Sequence, residues 1–288
     1  LTQFSASPAA RYLALADAGR NSWWRYGLAL LLIAVSWLVG GGYAYAITLD
    51  AGWFGSLTEF VAINASVLML LVGVVIAVPL LHRRGWLTLV TSRSRVDWSR
   101  IAEGAAVWVV LALVFAAVEN LLYPGRYAWN LDLQRWWPFV IAALLLTPLQ
   151  CAAEELVFRG YLTQAMGRLV RHPAVLAVIS SAVFTLPHLY NPEAAAYGTA
   201  IMAANYFAMG LFLASVALRD GRLELAIGAH AGNNLLLALF INYEDSVFST
   251  PSMFTAGTLD PVYSLLTLLL SAAAFHLWIF RNRPDRHE

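Results

Sequence analysis

Two stretches of this chain, residues 60–81 and 197–218, contain no charged side chain at all. About 20 apolar residues in a helix cross a hydrocarbon layer about 30 Å thick. Backbone inside that layer must satisfy its own hydrogen bonds, which restricts the fold to helices or a closed barrel. Further apolar runs at 27–47, 101–122, 137–165, 174–190, 223–242 and 261–280 repeat the pattern. The chain is therefore read as an all-α polytopic membrane protein, an eight-helix transmembrane bundle. Run 174–190 is the shortest, and Pro173 and Pro187 mark it. Composition agrees: 60% of the 288 residues are hydrophobic and 12% charged, against about 25% charged in a soluble domain.

Arginine placement orients the bundle, because short cytoplasmic loops collect positive charge. With both termini cytoplasmic, the inner segments hold Arg11, Arg20, Arg25, Arg83, Arg84, Arg93, Arg95, Arg100, Arg168, Arg171, Arg219, Arg222, Arg281, Arg283 and Arg286. The outer segments hold Arg126 and Arg135, with Asp50, Glu59, Asp132, Glu193, Glu244, Asp245 and Asp260. The expected organisation is a cytoplasmic or interfacial segment at 1–25, a transmembrane domain at 26–281 with its polar core near 137–242, and a cytoplasmic tail at 282–288. Ser7 followed by Pro8 reads as the start of a short interfacial helix. Residues 1–25 are polar and carry three arginines, so no cleavable leader is expected there. The expected location is a bacterial inner membrane.

A net charge of +1 and no basic cluster exclude nucleic acid as a partner. The single cysteine, Cys151, excludes an intrachain disulfide and multi-cysteine metal sites. It is read as a packing residue, with no neighbouring cation to activate its thiol. The Trp23–Trp24 and Trp136–Trp137 pairs flank span starts and read as interfacial belt residues, with a contact surface for a membrane protein partner as the other reading.

Most intramembrane polarity lies in spans 4 to 7. A charge at the centre of a span costs about 2.5–3.5 kcal/mol, yet span 4 carries Glu154, Glu155 and Arg159. Glu155 and Arg159 are four residues apart on one face and can pair; Glu154 points about 100° away and has no such partner. Span 5 carries Phe184 and His188, and span 7 carries His230 and Asn234 on one face. A rise of 1.5 Å per residue puts Glu154 and His188 each about 21 Å from the cytoplasmic end, but His230 only about 12 Å beyond Arg222. On that arithmetic the three meet only if span 7 tilts or the site opens toward the cytoplasm. The four residues Glu154, His188, His230 and Asn234 are expected to line one cavity open to that half.

Glu154 to Leu162 resembles the E-E-x-x-x-R motif of the CPBP (CAAX protease and bacteriocin-processing, or Abi) intramembrane endopeptidases. Phe184 to His188 is similar to their F-x-x-x-H motif, and His230 to Asn234 to their H-x-x-x-N motif, in the same order and on separate spans. The resemblance spans about residues 137–242. It implies an intramembrane peptide hydrolase acting on membrane-associated or lipid-modified polypeptides, with lipid and a peptide or protein substrate as partners. It also implies that Glu154 and His188 activate water while His230 and Asn234 stabilise the oxyanion. Glu155 and Arg159 then become a supporting pair. The implied mechanism needs no cofactor; the alternative is zinc held by Glu154, His188 and His230.

Other classes leave different marks. The chain has no H-E-x-x-H, no G-x-S-G and no aspartate pair within clear spans. A transporter with repeated halves would match spans 1 to 3 to the later ones, and they do not match. A non-catalytic membrane scaffold or assembly subunit with the same fold is the remaining alternative.

Overall fold

The computed structural model describes residues 7–243, 246 and 250–281. The expected tail at 282–288, with Arg283 and Arg286, and the acidic residues Glu244 and Asp245 lie outside them. The helices in chain order are α1 (Pro8–Ala14), α2 (Trp23–Val35), α3 (Gly42–Ala51), α4 (Thr58–Ala77), α5 (Trp98–Leu122), α6 (Leu133–Glu155), α7 (Thr163–Met166), α8 (Pro173–His188), α9 (Pro192–Ala196), α10 (Thr199–Asp220), α11 (Glu224–Leu239) and α12 (Pro261–Phe280). π-helical segments at Ser36–Gly41, Val78–His82 and Leu156–Leu162 continue α2, α4 and α6.

The chain is an all-α integral membrane protein. Among the described residues, six continuous helical stretches are long and apolar enough to cross a bilayer: Trp23–Ala51, Gly55–His82, Trp98–Leu122, Leu133–Met166, Thr199–Asp220 and Pro261–Phe280. The other two expected spans form α8 and α11, of 16 residues each. At about 24 Å they are shorter than the hydrocarbon layer. Their lengths match different surroundings. α11 is buried at every position from Glu224 to Gly232, whereas α2, its π-helical continuation and α5 expose Leu31, Leu38, Val110 and Val114 as lipid-facing surface.

Close backbone contact holds α11 at the centre. A side chain at Gly228 would put its Cβ 2.0 Å from the Ile101 carbonyl oxygen, and one at Gly104 would meet the Leu225 carbonyl oxygen at 2.4 Å. With Gly232 against Ala105, these small residues let α5 and α11 approach as packing without water requires.

The arginine-rich end is closed. Ser7 accepts from the Ala10 N–H at 3.2 Å and starts α1, as the Ser–Pro pair predicts. Tyr12 on α1 donates to the Leu89 carbonyl at 2.6 Å and lies 3.2 Å from the Arg159 carbonyl. Buried Arg84 donates to Gln164 at 2.7 Å, and the Leu223 N–H donates to the Val90 carbonyl at 2.9 Å. The opposite end carries a feature that helical periodicity gives no sign of. β1 (Tyr127–Trp129), β2 (Ile241–Tyr243) and β3 (Phe254–Ala256) form a sheet in the order β1-β3-β2, with β1 antiparallel and β2 parallel to β3. Tyr127 faces Ala256 across one ladder, and Ala256 faces Tyr243 across the other.

Candidate active site

Helix α6 carries Pro138 and Pro148 within it and passes into the Leu156–Leu162 π-helical segment directly after Glu155. Such wide turns concentrate at functional sites because they re-aim side chains within a helix. Both glutamates and Arg159 are buried. Arg159 Nη1 donates to Glu155 Oε1 at 2.9 Å and Nη2 donates to the Gly210 carbonyl at 3.1 Å. The guanidinium lies 4.1 Å from the centre of the Phe184 ring. One cation thus ties α6 to α8 and α10, and neutralises one of the two carboxylates.

His230 reaches the same carboxylate from α11: its Nδ1 stands 2.9 Å from Glu155 Oε1. A carboxylate oxygen accepts, so Nδ1 carries a proton there. The depth arithmetic from sequence counted from Arg222 as though it stood level with the ends of the other spans. α11 instead begins inside the protein, at fully buried Leu223 and Glu224, beneath the 83–97 segment.

His188 closes α8. Its Nδ1 lies 2.7 Å from the Phe184 carbonyl oxygen, an acceptor, so Nδ1 is the protonated nitrogen and Nε2 presents a lone pair in the neutral ring. Phe184 therefore has two jobs, a ring beneath Arg159 and a carbonyl that sets the tautomer of His188. Nε2 of His188 and Nε2 of His230 each lie 3.9 Å from Glu154 Oε2. The other Glu154 oxygen accepts from Gln150 Nε2 at 3.2 Å. Arg159 pairs with Glu155 and not with Glu154, as the spacing implied, and a neutral amide that the sequence reading did not name is the donor to Glu154. Gln150 stands one turn earlier on α6, and that four-residue spacing was the signal for it.

Asn234 is oriented by a relay. The indole N–H of Trp108, which can only donate, bonds Asn233 Oδ1 at 3.1 Å. That fixes the Asn233 amide, whose Nδ2 donates to Asn234 Oδ1 at 3.1 Å. Asn234 is then left with its N–H groups to offer. Neither Trp108 nor Asn233 stood out in the sequence, because the relay runs between α5 and α11.

Glu154, His188, His230 and Asn234 line one cavity of about 480 Å³ with Gln150, Asn205 and Tyr206. Its wall climbs to Arg126, Tyr127, Tyr243, Ala256 and Asp260 around the sheet, and includes none of segments 8–22, 83–97, 166–173 and 219–224. The cavity thus opens away from the arginine-rich end, and the expected opening on that half is corrected. The short helices α8 and α11 stop below the sheet end and leave the space, while the packed 83–97 segment shuts the other side.

The zinc alternative requires Glu154, His188 and His230 to converge. Donors around one tetrahedral zinc lie about 3.4 Å apart, and the observed separations from Glu154 Oε2 are 3.9 Å. Among the described residues, no three His, Cys, Asp or Glu side chains gather into a metal-holding group.

Residues 133–236 match the Rce1-like family, type II CAAX prenyl endopeptidases, in keeping with the CPBP resemblance of the three motifs. Over 94% of its length the chain is 28% identical to "Uncharacterized protein YyaK" of Bacillus subtilis (strain 168), of which 96% is covered. No solved structure matches the chain.

Proposed function

We propose, from the premise of an Rce1-like segment at residues 133–236, that this chain is an intramembrane endopeptidase that hydrolyses peptide bonds of membrane-associated or lipid-modified polypeptides without a metal. The observation that carries this reading is the pair of facing acceptors. Glu154 Oε2 has no protein donor, and the Nε2 lone pair of His188 stands 3.9 Å away. Two acceptors at that separation are joined well by a molecule with two donors, and water is that molecule. Bound so, a water turns both hydrogens to the protein and its lone pairs outward to a carbonyl carbon.

Attack by the water oxygen forms the new C–O bond and passes one proton to Glu154 or His188. Charge develops on the former carbonyl oxygen, where Asn234 N–H and His230 Nε2–H are the available donors. His230 already holds its Nδ1 proton toward Glu155, so donation from Nε2 uses the doubly protonated ring. That form balances Glu154, Glu155 and Arg159 as two negative and two positive groups. Cleavage of the C–N bond then takes the stored proton to the leaving amine.

Glu154→Gln retains the shape and removes the base. Purified in detergent with an internally quenched apolar peptide, this variant loses cleavage while melting at the wild-type temperature, and a chelator leaves the wild-type rate unchanged. Full biological function in a Glu154→Gln variant that no longer cleaves points to the scaffold reading, and retained cleavage overturns Glu154 as the base; activity lost to chelator and restored by Zn²⁺ points to a metalloprotease.

A further inference from the structure

We infer that the cavity is entered from the extracytoplasmic face, and that its occupant there is an extended juxtamembrane stretch of a membrane-anchored polypeptide; this deepens the hydrolase reading and rests on it. The side follows from two independent facts. The wall reaches α4 at the side, at Ile63 and Val67, and of the two ends only the sheet end, at Arg126, Tyr127, Tyr243 and Asp260. The segments at that end contribute two arginines, Arg126 and Arg135, while the closed end holds nearly all the others. Since positive loops stay in the cytoplasm, the closed end is cytoplasmic and the open end faces out. Arg126 adds no free charge at the mouth, because it pairs with Glu119 at 2.6 Å and donates to the Thr258 carbonyl at 3.0 Å.

The class of occupant follows from what the wall lacks. Gln150 and Asn205 are each 7% exposed and line the cavity, and their amide oxygens have no hydrogen-bond partner in the protein. Asn205 spends both Nδ2 hydrogens on the Ile201 and Pro261 carbonyls, at 2.9 Å each, so its orientation is fixed and only its oxygen remains. Gln150 spends Nε2 on Glu154. Water can satisfy these two buried acceptors in the free cavity, so an occupant that displaces it on the way from mouth to Glu154 must bring donors of its own. A peptide in extended form supplies N–H groups at regular intervals; an acyl chain or its ester supplies none. α12 adds Ser264 and Thr267 to the wall at helical spacing.

Ser264→Cys and Thr267→Cys change little volume and report access without requiring catalysis. In intact cells, a membrane-impermeant maleimide reacts with both from outside, and with Ser94→Cys at the closed end only after permeabilisation. Reaction at 264 and 267 only in inverted vesicles, or from neither side, overturns the proposal. In purified protein, a short apolar peptide amide slows labelling of Thr267→Cys and a monoacyl phospholipid does not; the reverse order of protection overturns the polypeptide occupant. Outside labelling that persists in Glu154→Gln separates this test from the hydrolase reading, which stands or falls on cleavage.

Discussion

Hydrogen-bond direction does most of the work at the scale of single residues. The carbonyl of Phe184 can only accept and the indole of Trp108 can only donate, and from these two fixed points the tautomer of His188 and the amide of Asn234 follow. Removing a fixed point should therefore harm a residue it never touches. Trp108→Phe retains the stacking on Phe212, whose ring centre lies 4.5 Å away, but frees the Asn233 amide to turn. The expected result is a lower kcat with KM little changed, and Asn233→Ala should repeat it. If His230 is the oxyanion donor proposed above, His230→Ala should cost about 2.7–4 kcal/mol in the barrier, read from kcat/KM. A loss confined to KM in either variant would assign these residues to binding instead.

Among the elements, α11 matters most, because it carries His230 and Asn234 and has no room to move. Gly228→Val puts side-chain atoms where the Ile101 carbonyl already sits, and overpacking of this kind costs about 1–3 kcal/mol or more. The expected outcome is a lower Tm and loss of activity together, since α5 and α11 must part and the relay from Trp108 is broken. Gly27 on α2 has nothing within 4 Å of an added Cβ, so Gly27→Ala should leave both unchanged and serves as the control. The G-x-x-x-G spacing of Gly228 and Gly232 was legible in the sequence as a close-packing signal; its partner helix, α5, was not.

On the scale of the whole molecule, the two ends are built differently. The arginine-rich end is knitted by long-range bonds, among them Arg100 to Asp220 and Tyr12 to the Leu89 and Arg159 carbonyls. Tyr12→Phe leaves the packing and takes a donor from buried carbonyls, an expected loss of about 1–3 kcal/mol, measured as a lower Tm with cleavage retained. A wild-type Tm would mean that Leu89 and Arg159 find other donors.

The sequence by itself determined the solvent this chain lives in, because charge-free runs of bilayer length allow little else. It also named the ionisable side chains of spans 4, 5 and 7, since a charge is costly there, while the neutral amides of Gln150, Asn205 and Asn233 passed unnoticed. Convergence was beyond it: helical periodicity is local, and it places Glu154, His188 and His230 on faces without saying which faces meet. The tertiary structure decided that α11 starts at buried Leu223 and Glu224, beneath the 83–97 segment, with His230 Nε2 3.9 Å from Glu154. It also decided which end of the cavity is open, because that depends on two helices stopping short and on the 83–97 segment folding back beneath α11, and neither length of span nor charge of loop encodes where a loop packs.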